Sequence, residues 1–207
     1  VEKFSTWTAV AAPFDESNID TNQLCPTRFN KVPKGPEYAK VLFHDQRFNS
    51  NEEENPDFVL NQPAYRGAGI IVADRNFGCG SSRESAVYAL AAFGIKSVIA
   101  ASFGEIFYSN CLKNGLLPVV LGEHICARIR QQLHDRIGAK ITVDLERQIV
   151  RDVSGAEHPF KVHALRKRCL IEGLDDISLT KQFLGEVTGF EGSYHKEFPW
   201  LEGGRPR

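Results

Sequence analysis

Residues 67–101, GAGIIVADRNFGCGSSRESAVYALAAFGIKSVIAA, restrict the fold more than any other part of the chain. Ile70 to Ala73 form a short apolar run closed by polar residues, the pattern of a strand buried on both faces. From Ser82 the pattern changes: Val87, Leu90, Ala91 and Phe93 recur at three- and four-residue intervals, and Gly94 suits the left-handed position after a helix. IKSVIAASFG then restores a buried-strand pattern, so the region predicts a strand-helix-strand crossover with parallel strands. EIFYSNCLKNG at 105–115 predicts a second short helix and LLPVVL at 116–121 a further strand. The expected fold class is α/β with an at least partly parallel core sheet. The chain has 207 residues, 42% of them hydrophobic, which suffices for one substantial core.

The flanks differ in character. HICARIRQQLHDRIG at 124–138 is amphipathic at helical spacing, and KITVDLERQIVRDV at 140–153 alternates around a polar break as a β-hairpin does. ALRKRCLIEGLDDISLTKQFLGEV holds two helical runs divided near Gly173, and the tail from Gly189 is expected to be irregular. The segment between Pro26 and Pro63 carries prolines, Gly35 and the acidic run Glu52 to Glu54. A connection of that length is either a lid or binding loop or loosely packed chain.

Charge and composition exclude several functions. A formal net charge of −1, spread through the chain, offers no electrostatic reason to expect nucleic acid or an anionic membrane as partner. No stretch approaches the ~20 apolar residues of a membrane span, and the opening VEKFSTWTAV lacks a signal-peptide pattern. Cys25, Cys79, Cys111, Cys126 and Cys169 are odd in number and widely spaced, which fits reduced thiols and a cytoplasmic location. With neither CxxC nor HExxH, the chain presents no ligand set for zinc or an iron–sulfur cluster, and no metal ligand is expected.

The glycine loop NFGCGSSRE admits two readings. Ser81 followed three residues later by Glu84 matches a capping box, in which both side chains satisfy free amides at a helix start. Alternatively, Gly78 and Gly80 let the backbone approach an anion, the following helix supplies exposed amides, and Arg83 adds a two-pronged donor suited to a carboxylate. The spacing lacks the third glycine of a dinucleotide loop, contains no Gly-Lys-Ser phosphate loop, and is not the G-x-S-x-G of a hydrolase elbow.

Several stretches together resemble one family. NIDTNQLCP at 18–26, NPDFVLNQPAYRGAGIIVADRNFGCGSSRES at 55–85, SFGEIFYSNCLKNGLLPV at 102–119 and LRKRCLIEGLDDISLT at 165–180 resemble, in order, the small subunit of 3-isopropylmalate dehydratase, a relative of the aconitase swivelling domain. The resemblance implies a single three-layer β/β/α swivelling domain over residues 1–207, with about 124–207 wrapping the core. It also implies closure over a separate large subunit that carries a [4Fe–4S] cluster, with no cofactor bound by this chain. The reaction implied is isomerisation of 2-isopropylmalate to 3-isopropylmalate by dehydration and rehydration, in leucine biosynthesis.

Carried over by position, Ser81 is the base that removes the proton next to a carboxylate, and Arg83 holds a substrate carboxylate. Gly80, Ser82, Asn22 and Arg28 complete the implied substrate site, Cys79 is a neighbour, Ser82 is left to cap the helix, and Glu84 holds the loop. The family usually has aspartate at the position of Asn22 and histidine at that of Ser85, and the loop TRFNKVPKG at 27–35 departs from the usual text. Those departures keep open another 2-hydroxy dicarboxylic acid as substrate, or a silent paralogue that only binds the large subunit.

Overall fold

The computed structural model describes residues 2–33, 35–80 and 83–200, which fall into two compact units, 1–173 and 174–207. The first unit is built on a seven-stranded sheet in the order β4-β3-β2-β1-β5-β6-β7. Its strands are β1 (Thr6–Pro13), β2 (Ile70–Val72), β3 (Ser97–Ala100), β4 (Leu117–Val120), β5 (Lys140–Asp144), β6 (Ile149–Arg151) and β7 (Glu157–Pro159). β1 to β4 run parallel, with Ala11 opposite Ile70, Ile71 opposite Val98 and Ile99 opposite Val119. β5, β6 and β7 form an antiparallel meander that joins the other edge of β1. The α/β class and the partly parallel sheet thus agree with the sequence pattern.

Both faces of the parallel half are covered, which is why its strands are continuously apolar. Ile71, Val98 and Ala100 enter the core on one face, with Val87 and Leu90 of α3 (Glu84–Phe93) and Phe107 of α4 (Glu105–Lys113). Ile70, Val72 and Ile99 enter the other, with Ile129 and Leu133 of α5 (Glu123–Asp135) and Leu170 of α6 (Ala164–Glu172). The aliphatic side chains of β2 and β3 are fully buried, and each contributes about 1.5–3 kcal/mol. The strand ends that carry the glycine loop are therefore a rigid platform.

Three expectations need correction. The strand at the centre of the sheet, β1, went unnoticed because Ala9, Ala11 and Ala12 have weak strand preference; their small side chains fit the crowded middle, where Ala11 and Ala12 are completely buried. The segment from 26 to 63 is neither a free lid nor loosely packed. It contains the short 3₁₀ turns Thr27–Phe29, Pro36–Val41 and Val59–Asn61 and the one-turn helix α2 (His44–Arg47), and it buries Tyr38, Val41, Leu42 and Phe43. Buried Arg47 knits the segment to itself by donating to Asn61 Oδ1 at 3.1 Å and to the carbonyls of Ala39 and Leu42 at 2.9 and 3.2 Å. α1 itself is a single turn, Thr21–Leu24.

The third correction concerns the second unit, whose helices are α7 (Asp176–Lys181) and α8 (Leu184–Glu197). The tail expected to be irregular from Gly189 continues as helix to Glu197 despite three glycines in α8. Phe190 stacks on Tyr194 at 5.5 Å and Tyr194 packs on Phe198 at 4.9 Å, pairs at the four-residue spacing that stabilises helices.

Candidate active site at the glycine loop

Because β1, β2 and β3 are parallel, the segments that follow them leave the sheet at one edge, the usual place for a ligand in such sheets. Backbone bonds stitch the three together. Gly78 N donates to Ile19 O at 2.7 Å, Thr21 N to Cys79 O at 2.9 Å, Phe77 N to Ser102 O at 3.0 Å and Gly104 N to Phe77 O at 2.9 Å. Two asparagines turn the chain in left-handed conformations, Asn18 at φ 61° and Asn76 at φ 59°, and the Asn76 amide donates to Asn18 Oδ1 at 2.8 Å. The Asn76 backbone N–H donates to Ser102 Oγ, also at 2.8 Å.

Two glycines are required by contact. A Cβ on Gly78, whose φ is +71°, would lie 2.3 Å from the Phe107 ring. A Cβ on Gly104 would lie 2.5 Å from the carbonyl oxygen of Gly78 and 3.1 Å from Cys79 Cα. Those obstacles are backbone, so neither can rotate away. Gly104→Ala is therefore expected to displace the glycine loop and cost about 1–3 kcal/mol of stability, with activity falling further than the folded fraction does. Thermal melts beside turnover per folded complex check this, and equal losses in both would show that the loop had not moved.

The capping box expected at Ser81 and Glu84 lies elsewhere. α3 starts at Glu84 with Arg83 in the N-cap position, so Glu84 is the first helical residue, too early to reach back as a box partner; its carboxylate instead accepts from Tyr88. A capping box is formed at α1, where Asp20 Oδ1 accepts from Asn22 N at 2.7 Å and Gln23 N at 2.8 Å while Gln23 Oε1 accepts from Asp20 N at 2.7 Å. Arg83 has no acceptor in its side chain and makes no capping bond of its own.

Arg83 and Asn22, both expected at the site, are in contact. Arg83 Nη1 donates to Asn22 Oδ1 at 2.6 Å and to Thr27 Oγ1 at 2.8 Å. Both acceptors are neutral, and among the described residues no carboxylate pairs with this guanidinium. Gly80, at φ +90°, lies beside Thr21 and Asp20. Ser81 and Ser82 lie outside the described residues. Arg28 is engaged elsewhere, in a forked bond to Asp45 with a further contact to His44 Nδ1 at 3.3 Å. That bond holds the Asp45 carboxyl below its ordinary range. Thr27 and Asn76 were not anticipated, although an asparagine closing a strand is a recognisable turn signal.

Burial, with the nearby charge of Asp20, pushes the Cys79 thiol above its ordinary value, so it is protonated near neutral pH and no nucleophile. Among the described residues no group of three or more His, Cys, Asp or Glu side chains is placed to hold a metal, so these residues do not fit a cluster. No described helix is long and apolar enough to cross a membrane. The recess beside the loop, lined by Gly78, Gly80, Gly104, Glu105, Ile106 and Phe107, measures about 180 Å³. That is below the roughly 300–1,000 Å³ of complete small-molecule sites.

Comparison with known proteins identifies the family. The aconitase C-terminal domain model matches residues 1–124, and a LeuD model matches 127–164. The 3-isopropylmalate dehydratase small subunit of Gluconacetobacter diazotrophicus is 46% identical over 200 residues, covering 97% of each chain. That of Paramagnetospirillum magneticum is 46% identical over 201 residues, covering 97% of this chain and 100% of the relative. The crystal structure of 3-isopropylmalate dehydratase (leuD) from Methanocaldococcus jannaschii superposes with a TM-score of 0.65 at 26% identity, covering 89% of this chain and 99% of that one. With near-complete coverage at this identity, the chain belongs to the family of 3-isopropylmalate dehydratase small subunits.

Proposed function

We propose that this chain is the small subunit of a two-chain hydro-lyase that converts 2-isopropylmalate to 3-isopropylmalate by dehydration and rehydration in leucine biosynthesis. The observation that carries the proposal is the Arg83 guanidinium, held on neutral partners at the start of α3. Arg83 binds a substrate carboxylate, and the Ser81 hydroxyl, two residues earlier, takes the proton from the adjacent carbon and returns it on the other side of the reaction. A serine serves as a base only where donors stabilise its alkoxide, which a helix N-terminus beside an arginine provides. Gly80 and Ser82 line the carboxylate site. Asn22 holds Arg83, and Arg28, bound to Asp45, fixes the loop that faces the substrate's side chain.

The Lewis-acid chemistry on the substrate hydroxyl belongs to a [4Fe–4S] cluster carried by the large subunit, the surface that completes the small recess. The complex works in the cytoplasm, where the five unpaired cysteines stay reduced. The loop at 27–35 also supports a second reading, the same chemistry on another 2-hydroxy dicarboxylic acid, because Thr27 of that loop touches the carboxylate anchor.

The test mixes the purified chain with a cluster-loaded large subunit and assays a panel of 2-hydroxy dicarboxylic acids. Highest kcat/KM on 2-isopropylmalate, with no turnover by either chain alone, is the expected result. A preference for another diacid selects the second reading. A stable complex that turns over none of them makes the chain a silent paralogue.

A further inference from the structure

We infer that Thr27 is a positioning residue for Arg83, the hydroxyl that fixes one end of the guanidinium so that the other end meets the substrate. The inference rests on the anion-binding role proposed for Arg83. It starts from the hydrogens. Thr27 Oγ1 donates to Asn22 Oδ1 at 2.8 Å and accepts from Arg83 Nη1 at 2.8 Å, while Nη1 also donates to Asn22 Oδ1 at 2.6 Å. These three bonds form a closed triangle. They use both hydrogens of Nη1 and leave Nε and Nη2, with three N–H groups, unpartnered among the described residues. Nε and Nη2 form an edge of the guanidinium suited to a two-pronged grip on a carboxylate.

The chemistry of the clamp matters as much as its geometry. An amide and a hydroxyl orient the guanidinium and leave its charge available. Thr27 is itself exposed, so its hydroxyl is not there to satisfy a buried group. The turn that carries it, Thr27–Phe29, is held a second time at its end, where Ser85 Oγ donates to Asn30 Oδ1 at 3.1 Å. The turn therefore grips α3 at Arg83 and again at Ser85.

The test uses the assembled two-chain enzyme with Thr27→Val, which keeps the shape and loses the hydroxyl, Thr27→Ala as a second hydroxyl-free variant, and Thr27→Ser, which keeps the hydroxyl. KM and kcat for 2-isopropylmalate are measured beside the inhibition constant of succinate, a dicarboxylate that carries no hydroxyl to eliminate. Both hydroxyl-free variants are expected to raise KM and the succinate constant about three- to tenfold, as loss of a neutral hydrogen bond does, with kcat changed less. Thr27→Ser should restore both constants, and melting temperature and subunit affinity should stay put throughout. Thr27→Val and Asn22→Ala should combine less than additively, since each breaks the same clamp. If the hydroxyl-free variants leave both constants unchanged while Arg83→Lys raises them, Thr27 has no positioning role and the anion site stands. If Arg83→Lys raises neither, the anion site falls and the inference with it. A serine variant no better than valine would also overturn the inference.

Discussion

Ser81→Ala in the assembled enzyme should lower turnover by at least the ~10²-fold typical of removing a positioned general base, with assembly and cluster content unchanged. A role at the helix start makes the opposite forecast. A capping serine replaced by alanine costs about 0.5–2 kcal/mol of stability and leaves turnover per folded complex nearly intact. The structure sharpens the contrast, because Arg83 occupies the N-cap of α3 and Ser81 precedes it by two residues. Ser82→Ala is the control, with the smaller catalytic effect and the larger effect on stability. Turnover by stopped assay and unfolding by calorimetry on the same preparations separate the two roles. Near-normal rates in both alanine variants would remove the base from this loop altogether.

Arg83→Lys should lose about ten- to more than a hundredfold in kcat/KM, the equivalent of one charge-assisted hydrogen bond of roughly 1.5–3 kcal/mol. The charge survives this substitution, but the planar fork does not. An ammonium on a flexible stem can bond Asn22 and Thr27 or a substrate carboxylate, but it cannot hold both in the fixed geometry of a guanidinium. The loss should appear in KM as well as in kcat. An unchanged kcat/KM would place the substrate carboxylate on some other donor.

What the sequence disclosed depends on how locally each feature is determined. β2, β3 and β4 were legible because strands buried on both faces are written as unbroken aliphatic runs. α3 and α5 were legible from their spacing, and Gly94 marked an end correctly. β1 was not, since alanines chosen for close packing have no strand signature of their own. β7 is a three-residue edge strand ending in Pro159, too short to carry a pattern. At the site, Arg83 and Asn22 could be named from the family text, but their bond joins residues 61 positions apart in the chain. Thr27 had no such cue: a threonine beside a proline in a loop becomes informative only once the fold brings it to Arg83. The capping-box motif misleads because Ser-x-x-Glu also fits a loop whose helix begins two residues later than that motif requires.

The place of β1 has a consequence for how the chain acquires its structure. β2, β3 and β4 come from one continuous stretch of chain, and β5, β6 and β7 from another, so each half can pair internally as soon as it is synthesised. β1 leaves the ribosome before the other strands, yet it joins the halves by pairing with Ile70 to Val72 on one side and with Lys140 to Asp144 on the other. Until the second half has emerged, the facing edges of β2 and β5 cannot both be covered, and open edges invite pairing with other chains. Closing the sheet therefore waits on the most distant contacts, the slow and aggregation-exposed step of such topologies. Substitutions within Thr6–Pro13 should act first on the yield of folded protein during synthesis, well before they disturb the glycine loop that β1 supports.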